Sequence, residues 1–252
     1  MTNRLGTTSS FIAATLLLIS THTYAGCDDA PAPGVNWKGC DKQGIDLSNA
    51  DLANANLDKA NLAGANFSGT NLRNAYLNRA NLQNANFNQA KLSDAHFVAS
   101  DLQGADLTKA LAKGASFDRA ILSKATLDKA NLSNSRMYDA NLKHASLKGA
   151  RLMNANLEQA NLSMADLSNA DLSNAVVTRA NLEETNFTGA TLIKTKFDRT
   201  YMVMTNFTNA DLSRATMADA EVIDIIVDGA KLDYTTWYNR KRCRSGSVGV
   251  CK

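Results

Sequence analysis

The sequence predicts an all-β solenoid, in which short coils stack along one axis, and three observations carry that prediction. The first is an unbroken period of five residues across most of the 252-residue chain. The second is the placement of phenylalanine within that period, and the third is the confinement of all four cysteines to the two ends. Aromatic residues make up only 6% of the chain, which is low for an ordinary globular core but sufficient where identical layers stack.

The five-residue period is read from two classes of residue. From Leu47 to Leu232 every fifth residue is apolar, and 31 of these 38 residues are Leu or Phe. Two residues earlier in each unit the side chain is small: 36 of the 38 residues are Ala, Ser or Thr, and Ile45 and Ile225 are the exceptions. No insertion or deletion breaks this register, so we expect one continuous structure.

Neither a helix nor a straight strand accommodates this period. On a helix, five residues advance about 500°, so successive leucines would circle the whole surface. On a strand, an odd period would place them on alternate faces. We therefore expect the small residue and the leucine to point inward from one short extended stretch, and the remaining residues to turn a corner.

Phenylalanine indicates the number of corners in a coil. The seven repeat phenylalanines fall only in alternate units, which favours an even number of sides. Four sides give about twenty residues per coil and place phenylalanine on two opposite walls. About 9.5 coils then stack into a rod roughly 45 Å long, at about 4.8 Å per coil. These residues are Phe67, Phe87, Phe97, Phe117, Phe187, Phe197 and Phe207.

The repeat resembles a known protein family. Residues 50–54 (ADLAN), 55–59 (ANLDK) and 165–169 (ADLSN) are similar to the A(D/N)LXX pattern of pentapeptide-repeat proteins. The resemblance implies a right-handed quadrilateral parallel β-helix. Residues 33–40 and 237–251 also resemble the end segments of exported bacterial members of that family.

The first 25 residues read as a signal peptide. Arg4 precedes the apolar run 11–19, and cleavage is expected after Ala25. The apolar run is too short to span a bilayer. As an alternative, residues 24–27 (YAGC) resemble a bacterial lipobox, in which Cys27 would carry a lipid anchor.

Cleavage at Ala25 leaves four cysteines, which we expect to pair locally as Cys27–Cys40 and Cys243–Cys251. The pairs would staple an N-terminal cap, 26–44, and a C-terminal cap, 235–252, onto the repeat region 45–234. Because the two pairs would lie tens of ångströms apart, a shared zinc site is not expected.

Nothing in the sequence predicts an enzyme, a cofactor or a metal site. The interior is filled by Leu, Phe and Ala, and the two histidines of the repeat region, His96 and His144, lie far apart in sequence. The net charge of +3, or +2 once Arg4 is removed, opposes both nucleic-acid binding and the DNA mimicry of the gyrase-binding family members. We therefore expect a non-enzymatic exported scaffold or protein-interaction module. A lipid-anchored envelope scaffold and a gyrase-binding DNA mimic are the alternatives.

A cluster of apolar residues late in the chain is the candidate interface for a protein partner or a homodimer. All of its members fall at positions that should face outward, where most of the repeat carries polar residues. Alternatively, segment 235–252 folds back over them. The cluster consists of Tyr201, Val203, Met204, Ile223 and Ile226.

One repeat centre, Ala112, carries only a methyl group. With twenty-residue coils its neighbours in the stack are Leu92 and Leu132. We expect a small void there, unless Leu111 moves inward to fill it.

Overall fold

The computed structural model describes residues 26–252, and the predicted signal peptide lies outside them. The chain winds into a β-helix in which each residue numbered with a final 1 or 6 pairs in parallel with the residue twenty positions later, from Asn36 with Asn56 to Thr216 with Thr236. The twenty-residue coil predicted from the phenylalanines is therefore observed. Two of these pairings lengthen into strands, β1 (Tyr201–Val203) and β2 (Glu221–Ile223), which pair in parallel.

Each corner of the repeat region has a left-handed residue, and every corner except those after Met202 and Val222 is a tight turn closed by a hydrogen bond, with that residue third. In the corner after Leu47, the amide of Ala50 donates to the Leu47 carbonyl at 3.0 Å, and Asn49 has a φ of 58°. Positive φ recurs at every fifth residue from Gly34 to Tyr234. Asn and Gly suit this conformation best, which accounts for their frequency at the fifth position of the repeat.

Four walls result, and we number them in chain order by their central residues, taken in steps of twenty. Wall I runs from residue 37 to 237, wall II from 42 to 222, wall III from 47 to 227, and wall IV from 52 to 232. The phenylalanines lie on walls I and III, which are opposite each other, as predicted. Phe67 and Phe87 stack at 4.8 Å on wall III, and Phe97 and Phe117 stack at the same distance on wall I.

Hydrogen bonds between coils satisfy the backbone and the few buried hydroxyls. Leu52 donates its amide to the Asn71 carbonyl at 2.7 Å, and the Asn71 amide donates to Ala50 at 2.9 Å. Where Thr replaces the small Ala, its hydroxyl mostly donates to a carbonyl of the preceding coil, as Thr205 does to Leu182 at 2.8 Å, whereas Thr200 donates to Phe197 in its own turn at 2.6 Å. Among the described residues no buried side-chain polar atom lacks a partner. The interior is therefore closed on all four walls over most of the rod.

At Ala112 the side chain is fully buried, and the neighbouring Leu111 remains 46% exposed. Leu111 also keeps its parallel pairing with Lys91 and Asn131. The alternative in which Leu111 moves inward is therefore wrong, because the residue stays on the outer surface of wall IV.

The stapled segment covers most of the N-terminal end, where the inward residues Ile45 and Ala50 stay half-buried. Cys27 is bonded to Cys40, as predicted, and Trp37 is fully buried with its indole N–H donating to the Asp29 carbonyl at 3.2 Å. Trp37 also donates its amide to the Asn56 carbonyl at 2.8 Å, so this segment already follows the coil register.

The C-terminal segment closes part of the opposite end. Cys243 is bonded to Cys251, again as predicted, and the segment pairs antiparallel to the last coil, Val248 with Lys231 and Arg242 with Thr236. These contacts lie on walls IV and I, so the segment covers two of the four walls.

Candidate protein-interaction surface

The apolar cluster predicted from the sequence lies together on the outside of wall II and its corner with wall III. Val203 of β1 pairs with Ile223 of β2, which places their side chains one above the other. Tyr201 is 38% exposed, Met204 51%, and Ile223 and Ile226 44% each, whereas Val203 is half-buried. We call these five residues the C-terminal patch.

The patch borders an end of the rod that has no further coil. On walls II and III the inward residues Val222, Ile225 and Val227 are only half-buried. On wall IV, by contrast, Ala230 and Leu232 are completely buried beneath the C-terminal segment. The difference arises because that segment pairs with walls IV and I and leaves the other two walls uncovered.

Backbone groups at this uncovered end also lack the partners that earlier coils provide. In the preceding coil, Phe207 donates its amide to the Ile226 carbonyl at 2.7 Å, and Asn209 donates to Asp228 at 2.8 Å. Within the described part of the chain, the equivalent amides of Val227 and Gly229 have no hydrogen-bond acceptor. The uncovered end is thus an open sheet edge beside exposed apolar side chains.

The alternative in which segment 235–252 covers the patch is not what the structure contains. The segment approaches the last coil through Gly249, whose amide donates to the Ala230 carbonyl at 2.9 Å. Ile223 and Ile226 remain exposed despite that contact.

Five carboxylates surround the patch. Three lie in the last coil, and two lie directly below Val203 and Met204 in the preceding coil. Across the residues that the structure describes, none of the five takes part in an ion pair. The patch is therefore an apolar centre with an acidic rim, formed by Glu183, Glu184, Glu221, Asp224 and Asp228.

His96, one of the two histidines of the repeat region, lies outside the patch. His96 stacks on Tyr76 with ring centroids 4.8 Å apart, on the outer face of wall I. Residues 26–252 contain no group of three or more His, Cys, Asp or Glu residues that could hold a metal ion. The same residues include no helix long and apolar enough to span a membrane.

The sequence reasoning located the patch residues but missed the acidic rim and the open edge. The rim becomes visible only when residues are compared in steps of twenty, so that Glu183 is read beneath Val203 and Glu184 beneath Met204. The open edge depends on which walls the C-terminal segment covers, and no local signal in residues 235–252 specifies that.

Taken together, the twenty-residue coil, the four tight corners and the stacked Leu and Phe core define a right-handed quadrilateral β-helix. The family model for pentapeptide repeats matches the chain in eight copies, over overlapping segments that begin at residue 34 and end at residue 203. Since these segments cover more than half of the chain, the protein belongs to the pentapeptide-repeat family.

Solved structures of the same family are similar to this chain. HetL, a pentapeptide repeat protein involved in heterocyst differentiation regulation in the cyanobacterium Nostoc, is 27% identical over 83% of this chain and 92% of its own, with a TM-score of 0.72. A pentapeptide repeat protein of the Arabidopsis thaliana thylakoid lumen is 25% identical over 55% of this chain and 84% of its own, with a TM-score of 0.27. QnrB1, a plasmid-mediated fluoroquinolone resistance protein, is 19% identical over 74% of this chain and 88% of its own, with a TM-score of 0.38. No curated protein sequence matches the chain.

Proposed function

We propose that this protein is a non-enzymatic scaffold, exported to an oxidising compartment, that binds a protein partner through the C-terminal patch. The observation that carries the proposal is the exposure of four large apolar side chains beside an open sheet edge. Contiguous apolar surface of this kind on a water-exposed protein usually marks an interaction site.

The acidic rim defines the partner's chemistry. Five carboxylates without ion pairs favour a partner whose apolar contact surface is bordered by Lys or Arg. The rim opposes a symmetric homodimer through the same patch, because a twofold axis would place the acidic rim of one copy against the acidic rim of the other. A protein other than a second copy of this chain is therefore the favoured occupant.

The disulfides support the proposed compartment. Bonds such as Cys27–Cys40 persist in oxidising environments and are rare in the cytosol. The lipid-anchored alternative needs the Cys27 sulfur for a thioether, and that sulfur is bonded to Cys40 here, so the two forms exclude each other. Export and location in an oxidising compartment also separate this proposal from the gyrase-binding alternative, which requires a cytoplasmic protein with a strongly acidic surface.

The test is a double variant, Val203→Asp with Ile223→Asp, compared with Gln83→Asp and Gln103→Asp. The control residues lie in earlier coils directly in line with residues 203 and 223, in the same outward column of residues spaced twenty apart. Their replacement by Asp adds the same charge. We expect wild type and control to capture a partner protein from the native envelope and the patch variant to fail to capture it. Circular dichroism should show that all three proteins are folded. Equal retention by the patch variant would contradict the proposal. If wild type and control sediment as dimers and the patch variant sediments as a monomer, the patch would be assigned to self-association instead.

A further inference from the structure

A second surface feature lies at the other end of the rod, on the corner between walls I and II. It is a shallow groove of about 570 Å³, lined by four basic side chains together with His96, Val98 and Ala99. The four basic residues lie within the first five coils, and they are Lys38, Lys59, Arg79 and Arg119.

The groove exists because one coil carries a small residue in a column of long ones. Residues 59, 79, 99 and 119 lie one above another, and Ala99 interrupts the basic series. Coils are about 4.8 Å apart, so the backbone positions of Arg79 and Arg119 lie roughly 10 Å apart, on either side of the gap. Two guanidinium groups can therefore reach into the same notch from opposite sides.

The charges in the groove are not neutralised by the protein. In the part of the chain that the structure describes, none of the four basic residues forms an ion pair. The single acid in the lining, Asp58, accepts hydrogen bonds from the amide of Asn78 at 2.8 Å and from its side chain at 3.0 Å. Farther along the same column, by contrast, Arg179 lies 3.6 Å from Glu158.

A backbone N–H next to Arg119 in sequence has no acceptor among the residues that the structure describes. At several turns of this corner the amide donates to the side chain one coil earlier: Asn78 to Asp58 at 2.8 Å, Val98 to Asn78 at 3.0 Å, and Tyr138 to Asp118 at 3.1 Å. At others it donates to the side chain two residues earlier, as Asp58 does to Asn56 at 3.2 Å. The amide of Asp118 should likewise meet residue 98, but that residue is Val and has no acceptor. Throughout residues 26–252 no acceptor is found for this amide.

The carboxylate of Asp118 does not occupy the notch. It accepts hydrogen bonds from the Tyr138 amide, the Ser116 hydroxyl and the Arg136 guanidinium, and so faces the following coil. Its charge is balanced by Arg136. An incoming anion would therefore meet donors and positive charge at the notch, with no competing carboxylate beyond Asp58.

We propose that this notch binds a tetrahedral oxyanion of the phosphate monoester class, held between Arg79 and Arg119 with a hydrogen bond from the Asp118 amide. Arginine forks and a free backbone N–H are the donor groups that phosphate oxygens accept best. Two sources supply this chemistry: a soluble phosphorylated compound and the headgroup of an anionic lipid. The proposal does not depend on the C-terminal patch.

In the first experiment the mature protein is titrated with inorganic phosphate by calorimetry. In parallel, flotation of the protein is measured with phosphatidylcholine vesicles that contain or lack phosphatidic acid. The test variant is Arg79→Gln with Arg119→Gln, and the control is Arg179→Gln with Arg199→Gln, which removes the same charge from the same column. We expect wild type and control to bind and the test variant to bind about tenfold more weakly or worse. Binding of phosphate alone identifies a soluble ligand, and binding of phosphatidic acid vesicles alone identifies a headgroup.

The second variant, Val98→Asn, leaves every charge in place. Asparagine would extend the Asp58–Asn78 ladder, give the Asp118 amide its acceptor and fill the notch. We expect a folded protein that has lost the anion site. Absence of wild-type binding in both assays, equal loss in the Arg179/Arg199 control, or full binding by Val98→Asn would each overturn the proposal.

Discussion

The two ends of the rod bury their terminal coils to different extents. At the N-terminal end Trp37 is fully buried and Leu47, the first apolar centre of wall III, is 2% exposed. At the C-terminal end Val222 and Val227, the last centres of walls II and III, are half-buried. Both ends carry a disulfide-stapled segment, so the staple alone does not decide how completely an end is closed.

The outward residues at the two ends differ as well. The first coil presents Asp41, Asp46 and Asp51 along its edge, and charged residues on a sheet edge discourage pairing with other chains. The equivalent residues of the last coil are Glu221, Ile226 and Lys231, and Ile223 is exposed beside them. An end lined by charge alone discourages pairing, whereas an end with exposed apolar side chains among its charges offers a surface for a partner.

Truncating matched core residues should show the largest difference between the ends. Leu47→Ala removes a buried side chain and should lower the free energy of unfolding by about 2–5 kcal/mol. Val227→Ala removes a half-buried side chain from the same column and should cost less than about 1 kcal/mol. Denaturant unfolding of both variants measures this difference. Equal costs would mean that Val227 is covered in solution.

Removing the two disulfides one at a time should change tryptophan fluorescence in different ways. Replacing Cys27 and Cys40 by Ser should cost about 3 kcal/mol, and replacing Cys243 and Cys251 slightly less because the loop is shorter. The first change should shift Trp37 fluorescence to the red, because its buried indole depends on the stapled segment. The second should alter emission little, since Trp237 is already half-exposed. Identical spectral changes would contradict the difference between the ends.

A substitution in the middle of the rod gives a reference that involves neither end. Ala112→Leu should raise the free energy of unfolding by up to about 1–3 kcal/mol if the void between Leu92 and Leu132 accepts the side chain. Leu111 does not occupy that space, since its side chain is exposed. A lower melting temperature than wild type would show that the site is already filled.

The smallest expected effect concerns the ion pair that ties the C-terminal segment to the rod. Arg240 donates Nε to Asp219 Oδ1 at 3.0 Å and Nη2 to Oδ2 at 2.8 Å. These hydrogen bonds hold the pKa of Asp219 below the ordinary value of an aspartate carboxyl. A lowered pKa in the folded state means that the stabilisation is present above the unfolded pKa and is lost as pH falls through the folded one.

We therefore expect amide exchange at Trp237, whose N–H donates to the Lys241 carbonyl, to quicken relative to core amides as the pH falls below the ordinary pKa of an aspartate carboxyl. In Asp219→Asn this additional dependence on pH should disappear. An unchanged pH dependence in the variant would show that the ion pair does not hold the segment.

The sequence was sufficient for most of the fold because its signals are local and repeated. The spacing of Leu47, Leu52 and their successors determines the inward register, and the phenylalanine pattern yields the twenty-residue coil. The disulfide pairs follow from their separation along the chain. The orientation of Tyr201, Met204, Ile223 and Ile226 also follows from register alone.

The remaining features depend on contacts twenty residues apart or on the path of a non-repeating segment. The amide of Thr205 does not donate to the Met202 carbonyl, the hydrogen bond that closes most turns, and the chain there extends into β1. Val98 occupies the same turn position as Val203, yet the corner at Val98 keeps that hydrogen bond. The groove at Ala99 appears only when neighbouring coils are compared. The unpaired amide of Asp118 requires knowing which side chain each turn amide meets.

Site-specific photo-crosslinking tests the central claim, that the apolar end of the rod is its protein-binding end. In one protein p-benzoylphenylalanine replaces Ile223, and in a second protein it replaces Gln103, which lies in the same outward column. Both proteins are irradiated in the native envelope. The account predicts a discrete cross-linked protein partner from residue 223 that is absent from residue 103. The same products from both positions, or none from residue 223, would contradict it.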